Sequence, residues 1–215
     1  LFSDIRGFTT IAENLTPHES FEFLNEYFRR IGPIVQEHNG VVAQFLGDGM
    51  MALFPNKPQD ATNAAIEIQR ELRRINVDRA ALNLPPIGTG IGLHSGDLIM
   101  GILGDKYRLN GNVVSDTVNV AARLETWTAQ CGISIAASDV VFSALSENLR
   151  AECRKMTRVR MAGKSNAMDV YEIFAGDILP DIRMKQETRS AFEAAGEQFR
   201  NARFDLAQSA FRDLS

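Results

Sequence analysis

The 215-residue chain is poor in the residues that usually build disulfide frameworks and histidine-based metal centres. Its only cysteines are Cys131 and Cys153, too few for a disulfide framework or a zinc site. This scarcity favours a reducing, cytoplasmic setting. The three histidines, His18, His38 and His94, have no metal-ligand spacing such as HExxH, which argues against a histidine-based metalloenzyme.

Long apolar runs and excess positive charge are also missing. No run approaches the roughly 20 residues that a membrane helix needs, and no signal peptide is visible. The formal net charge of −4 gives no global attraction to nucleic acid or anionic lipid, so we expect neither as a partner. The chain begins within an apolar strand and lacks an initiator Met, so we expect a piece of a longer protein. Membrane anchoring of that parent stays open.

Phosphate-binding glycine motifs are absent as well. No GxxxxGK[ST] loop occurs, and the alternating Gly88, Gly90 and Gly92 do not fit GxGxxG or open a helix. Glycines at alternate positions of a strand instead indicate a close approach of another backbone. We therefore expect these three residues to serve packing.

The hydrophobic pattern that is present predicts a mixed fold. A capping box at 16–19 opens a helix, and two strand-like runs at 41–46 and 50–54 are joined by Gly-Asp-Gly. A second helix follows, and residues 90–103 are interpreted as another hairpin. This order of strand, helix, hairpin, helix and hairpin predicts an α+β domain with helices packed on a mainly antiparallel, ferredoxin-like sheet.

The last 40 residues differ in composition from the rest. We predict a domain over residues 1–175 and a helical tail over 176–215, in which two antiparallel helices form a short hairpin. The hairpin is typical of a tetratricopeptide-like repeat, which would continue beyond Ser215 and bind protein. A simple capping hairpin on the first domain is the alternative.

Two carboxylates occupy positions suited to a hard cation. Asp4 follows a buried strand, and Asp48 lies at a hairpin tip between glycines. Oxygen ligands at strand ends can hold Mg²⁺. Asp48 alone could equally be an ordinary turn residue, because Asp-Gly is common in hairpins.

A second polar pair lies in a helical segment. Asn119 and Arg123 are four residues apart and therefore share one helix face. Together they could hydrogen-bond a sugar and stabilise phosphoryl charge. From spacing alone, an ordinary helix surface explains them as well.

Three segments taken together carry more information than any of these features alone. They are FSDIRGFT at 2–9, FLGDGMMA at 45–52 and DTVNVAARLE at 116–125. In their order and approximate spacing they closely resemble the signature segments of class III adenylyl and guanylyl cyclases, in particular bacterial multidomain ones. The resemblance covers roughly residues 1–175.

The resemblance implies a metal-dependent nucleotide cyclase. Asp4 and Asp48, assisted by the carbonyl of Ile5, would bind two Mg²⁺ or Mn²⁺ ions. Backbone amides near Gly7 and Phe8 would hold phosphate oxygens. The substrate would be ATP, with GTP as the alternative.

The family resemblance also implies a second half-site and a homodimer. Asn119 would orient the ribose, and Arg123 would stabilise charge on the α-phosphoryl group. In the family, the metal carboxylates come from one subunit and the Asn/Arg pair from the other. A homodimer with two sites is therefore expected.

The purine-binding pair and one triphosphate-binding segment depart from the family pattern. The purine-binding pair, usually Lys with Asp or Thr for adenine and Glu with Cys for guanine, is Gln44 and Asn112 here. Amides both donate and accept, so we expect ATP as main substrate with weaker discrimination between bases. The usual Val-Lys-Gly-Lys is Met-Ala-Gly-Lys at 161–164, where only Lys164 remains to approach the triphosphate.

These departures leave a second hypothesis open, a catalytically silent cyclase-like module that dimerises and binds nucleotide. The changed purine pair and Ala162 favour it, whereas the intact Asp4, Asp48, Asn119 and Arg123 favour an enzyme. A guanylate cyclase is a further alternative. A diguanylate cyclase is disfavoured because its GG[DE]EF motif is missing.

Overall fold

The structure, a computed structural model, describes residues 1–104, 109–160 and 167–214. The strands in chain order are β1 (Phe2–Ile5), β2 (Val41–Leu46), β3 (Gly49–Leu53), β4 (Thr89–Leu93), β5 (Ile99–Gly104), β6 (Leu109–Val114), β7 (Ile135–Ser138), β8 (Cys153–Val159) and β9 (Met168–Ile173). The helices are α1 (Phe8–Ala12), α2 (Pro17–Glu37), α3 (Pro58–Ala81), α4 (Asp116–Cys131), α5 (Asp139–Ser143), α6 (Glu147–Ala151), α7 (Leu179–Arg200) and α8 (Phe204–Arg212).

Seven strands form one sheet in the order β2-β3-β1-β4-β7-β9-β8. All neighbours pair antiparallel except β4 and β7, which are parallel. The predicted α+β class with a mainly antiparallel sheet is therefore confirmed. β1, the strand of the first signature segment, lies between β3 and β4, where its ends are fixed from both sides.

The expected hairpin of residues 90–103 is wrong. β4 pairs with β1 and β7 inside the main sheet, whereas β5 pairs with β6 in a separate two-stranded sheet. The Ser-Gly-Asp between β4 and β5 suggested a tight turn. It is instead the connection by which the chain leaves the main sheet, and the actual partner of β5 lies later in the sequence.

Opposite faces of β4 serve two different layers. Ile91 and Leu93 belong to the main core, which also contains residues of α2 and α3 such as Ile31 and Ile68. Gly90 and Gly92 point the other way, toward α4. A second, smaller core around Leu124 lies on that face, so α4 is held against the sheet by its own apolar cluster.

The close backbone approach predicted for the alternating glycines is confirmed at Gly92, whereas the nearest atoms at Gly88 and Gly90 belong to side chains. A Cβ on Gly92 would lie 2.1 Å from the Ala121 carbonyl oxygen and 2.3 Å from the Glu125 nitrogen. Both contacts are to helix backbone, which no side-chain rotation can relieve. The missing side chains on β4 therefore set the distance between the sheet and α4.

Gly92→Ala is expected to destabilise the fold by about 3 kcal/mol, because α4 must shift to admit the methyl group. Gly32→Ala, in helix α2 with nothing within 4 Å of the added Cβ, is the control and should stabilise the fold by about 0.5–1 kcal/mol. Urea denaturation of both variants measures the difference. Equal stability of the two would contradict backbone contact at Gly92.

Two helices end the described chain, and the first packs on β8. Lys185 of α7 pairs with the buried carboxylate of Glu172 at 2.6 Å and with Asp177 at 2.5 Å. Glu193 accepts a hydrogen bond from the Lys155 N–H of β8. α7 thus covers the outer strand of the sheet, while the tetratricopeptide interpretation stays a prediction.

None of the helices described here is long and apolar enough to span a bilayer.

Candidate active site

Asp4 and Asp48 are brought together by strand pairing. Asp4 lies near the end of β1, where its register partner on β3 is Gly49. Asp48 immediately precedes that residue, in the turn between β2 and β3. Gly47 in the same turn has φ +66°, a conformation that glycine adopts without strain. Two residues 44 positions apart in sequence thus share one corner of the sheet.

The two carboxyl groups lie within hydrogen-bond distance of each other, and the environment does not favour two negative charges. Burial, then the nearby carboxylates of Asp48 and Glu125, raise the pKa of Asp4 from its ordinary value to about 7. A hydrogen bond from the Ile5 N–H opposes this rise. Among the described residues, no lysine or arginine forms an ion pair with Asp4 or Asp48.

This donor set fits a hard divalent cation. Adjacent carboxylates repel each other electrostatically, and a cation that binds between them removes this repulsion. Over the described ranges, no group of three or more His, Cys, Asp or Glu side chains is arranged so that it could hold a metal ion. Mg²⁺ commonly takes only one or two protein carboxylates and completes its shell with water and substrate phosphate.

Asn119 and Arg123 lie on α4 and are both exposed. The same helix turns Ala121, Leu124 and Thr128 onto the sheet, where all three are buried. The helix-face prediction therefore holds for both residues, but that face points outward. Within one chain, α4 presents its Asn/Arg pair to solvent.

Gly7 and Phe8 follow β1 directly. Gly7 has φ +63° and precedes α1, so a side chain at this position would strain the backbone. The ring of Phe8 stacks on Phe23 of α2, with centroids 5.8 Å apart. This contact anchors the segment that follows Asp4.

The expected purine-binding residues are only partly described. Gln44 lies on β2 and is exposed, next to a register irregularity between Val42 and Gln44, and such bulges commonly redirect a side chain near active sites. Asn112 lies on β6, opposite Gly101, with its side chain outside the described residues. Lys164 lies outside the described residues altogether.

Comparison with known proteins decides the family. Residues 1–174 match the model of the adenylate and guanylate cyclase catalytic domain. An adenylate cyclase of Anabaena cylindrica is 38% identical over 181 residues, which cover 81% of this chain and 36% of that protein. The chain belongs to the class III cyclase catalytic domain family. It spans about a third of the length of that Anabaena relative.

Solved cyclase structures share the fold. A bacterial light-regulated adenylyl cyclase is 29% identical with a TM-score of 0.71, over 84% of this chain and 91% of that one. The guanylyl cyclase Cya2 is 28% identical with a TM-score of 0.68, over 80% and 88%. Likeness to both types leaves the base open, so the residues of this cyclase domain must be considered individually.

Sequence reasoning missed three residues beside the carboxylate pair. Arg6 reaches from the end of β1 to α4, where its Nη2 lies 3.0 Å from the Thr128 hydroxyl. Glu125 of α4 contributes to the raised pKa of Asp4. Arg6 and Glu125 lie inside the signature segments. The contact between Arg6 and Thr128, however, joins residues 122 positions apart, so it depends on how α4 packs on the sheet.

Proposed function

We propose that this domain converts ATP to 3′,5′-cyclic AMP and pyrophosphate at sites shared between two copies of the chain. The observation that carries the proposal is the division of α4. Its buried face holds the helix against the strands that carry Asp4, while Asn119 and Arg123 point away from them. One copy therefore offers a carboxylate pair and, on another surface, an Asn/Arg pair.

Exposed apolar residues support the homodimer. Among the described residues with large exposed apolar side chains, five lie on the strands β2 and β5, namely Val41, Phe45, Leu46, Ile99 and Met100. Ile99 is 76% and Met100 66% exposed. Where such side chains form one continuous patch, they are typical of a protein interface. A two-fold arrangement would then create two equivalent sites.

The carboxylate pair is proposed to hold the divalent ions. Asp4, Asp48 and the carbonyl of Ile5 would be the ligands, as the family pattern suggests. When bound, two Mg²⁺ or Mn²⁺ ions would lower the pKa of the ribose 3′-hydroxyl and screen the triphosphate. The fixed position of Asp4 between β3 and β4 pre-organises this half of the site.

The remaining chemistry belongs to groups of the chain itself. The ribose 3′-hydroxyl loses its proton to solvent, its oxygen attacks the α-phosphorus in line, a new P–O bond forms, and the bond to pyrophosphate breaks. Asn119 of the second copy would orient the ribose, and Arg123 would stabilise charge on the α-phosphoryl oxygens. Amides near Gly7 and Phe8, with Lys164, would hold the other phosphates.

The base is proposed to be read by Gln44 and Asn112. Both are amides that donate or accept after rotation, so we expect ATP as main substrate with relaxed discrimination. Gln44→Lys, a donor only, should raise the ATP-to-GTP ratio of kcat/KM about tenfold, and Gln44→Glu, an acceptor only, should lower it by a similar factor. Gln36→Lys, an exposed change on α2, is the control.

A ratio that moves in neither Gln44 variant would contradict a base contact. A wild-type protein that strongly prefers GTP would overturn ATP as main substrate.

The activity is tested with purified protein, Mn²⁺ and either ATP or GTP, measuring cyclic nucleotide by chromatography. We expect cyclic AMP from ATP, and we expect its formation to vanish in Asp48→Ala. No product at concentrations where the protein is dimeric would instead favour the silent nucleotide-binding module. Protein binding by the helical tail is a separate proposal that this assay does not test.

A further inference from the structure

We infer that Arg6 is a positioning residue that holds the carboxylate pair and helix α4 in one fixed relation, and so serves both active sites of the dimer. The inference rests on the proposed function, because it requires sites that draw residues from both copies. Arg6 is proposed to contact neither substrate nor metal. It acts through the elements that it connects.

The contacts of Arg6 reach three parts of the fold. Its backbone N–H donates to the Gly88 carbonyl at 2.9 Å. Its Nη2 donates to the Thr128 hydroxyl at 3.0 Å and to the Ile133 carbonyl. Thr128 is fully buried, and its hydroxyl donates in turn to the Glu125 carbonyl. One side chain therefore ties the end of β1 to α4 and to the segment before β7.

The sheet leaves room for this side chain because β4 carries glycine there. Gly90 is the register partner of Asp4. A Cβ on Gly90 would lie 2.4 Å from the Thr128 hydroxyl and 3.5 Å from Arg6 Nη2. The space beside the metal-binding strand is thus occupied by the contact between Arg6 and α4.

Glu125 of α4 lies beside the same contact. A Cβ on Gly90 would lie 2.7 Å from Glu125 Oε1, as well as close to the Thr128 hydroxyl and Arg6 Nη2. Arg6 and Glu125 therefore line one space next to the register partner of Asp4. We expect the position of the carboxylate pair to depend on Arg6.

The dimer makes this dependence measurable. In one copy, β1 belongs to one active site and α4 to the other. A change at Arg6 should then weaken metal binding at the first site and slow the chemical step at the second. A residue that acts only on its own active site would alter either metal binding or the chemical step, but not both.

Mixed dimers of Asp48→Ala and Arg123→Ala separate the two effects. Their single complete site takes its carboxylates from the Arg123→Ala copy, here the carboxylate protomer, and its Asn/Arg pair from the Asp48→Ala copy, the helix protomer. Adding Arg6→Met to the carboxylate protomer should raise the Mg²⁺ concentration for half-activation about tenfold. Adding it to the helix protomer should lower kcat about tenfold at unchanged Mg²⁺ dependence.

A measurement without turnover accompanies the kinetics. Calorimetric titration of the Arg6→Met homodimer with Mg²⁺, in the presence of a non-hydrolysable ATP analogue, should give an affinity about tenfold below wild type. Thr128→Val in the helix protomer should reproduce the loss of kcat alone. Arg73→Met is the matched control, because Arg73 is also partly buried and donates to the Gly176 carbonyl, away from the site.

Each possible result either supports or contradicts the positioning role of Arg6. Equal losses in both placements together with a lowered unfolding temperature would reduce Arg6 to a stability residue, and no loss in either would overturn the inference. If mixed dimers without any Arg6 change are inactive, the shared site itself fails, and unchanged Mg²⁺ affinity of the Arg6→Met homodimer then also overturns the role of Arg6. Arg6→Lys, which keeps the positive charge on a shorter side chain, replaces Arg6→Met if that variant does not fold.

Discussion

Mixing equal amounts of Asp48→Ala and Arg123→Ala proteins is expected to restore activity that neither has alone. Each homodimer lacks one half of both sites and should be at least about 100-fold less active than wild type. Random exchange makes half of the dimers mixed, and each mixed dimer has one complete site of two. The mixture should therefore reach about a quarter of wild-type activity per chain.

Two controls make this recovery specific. Asp48→Ala mixed with Asp4→Ala should stay inactive, because both changes fall in the same half-site and no complete site forms. Dilution below the dimer dissociation constant should abolish the recovered activity. Suppose that the mixture of Asp48→Ala and Arg123→Ala recovers no activity although subunit exchange between the two proteins is demonstrated. The carboxylates and the Asn/Arg pair must then act within one chain, and the shared-site proposal is wrong.

Metal-free protein should lose stability as pH rises from about 4 to about 7. Burial and neighbouring carboxylates raise the pKa of Asp4 to about 7 in the folded state, against about 4 in an unfolded chain. Between these values the folded state binds the extra proton, so the free energy of unfolding falls as pH increases. Since Asp4 is only half-buried, solvent screening limits the effect, and we expect a drop of a few degrees in the unfolding temperature.

Asp48→Asn is expected to remove part of this drop while abolishing activity, because it takes away one neighbouring carboxylate but leaves the burial of Asp4 unchanged. Calorimetric scans in EDTA at pH 5.5 and pH 8 measure it, with the exposed Asp97→Asn as control. Mg²⁺ should restore wild-type stability at pH 8 and leave Asp48→Asn nearly unchanged. A wild-type protein that is more stable in EDTA at pH 8 than at pH 5.5 would contradict this account.

The sequence predicted the individual residues of the candidate site better than the way in which the fold places them relative to one another. Asp4 and Asp48 were recognisable because each sits in a signature segment at a strand end or turn. Helical spacing placed Asn119 and Arg123 on one face, but only the family resemblance singled them out as candidate site residues. The exposure of Asn119 and Arg123 follows from which face of α4 packs on β4, and that depends on glycines in another strand.

The misassigned hairpin has a similar cause. Local turn residues after β4 are compatible with a hairpin, but β4 already has β1 and β7 as partners, and no local pattern records this. Arg6 was overlooked because its two side-chain acceptors, Thr128 and the Ile133 carbonyl, are far away in sequence. The outer strand β8 contains three basic residues and lacks a regular alternation of apolar and polar residues, so the sequence did not predict it. Its contact with α7 is not visible in a local pattern.

The two outer strands of the main sheet differ in what they offer to a neighbour. At β8, the Glu193 carboxylate of α7 occupies a backbone N–H that another strand could otherwise use. At β2, by contrast, Val41, Phe45 and Leu46 are exposed. A sheet that could be extended at both ends would invite open-ended fibres. Because α7 covers β8, edge-to-edge extension of the described sheet is limited to its β2 end.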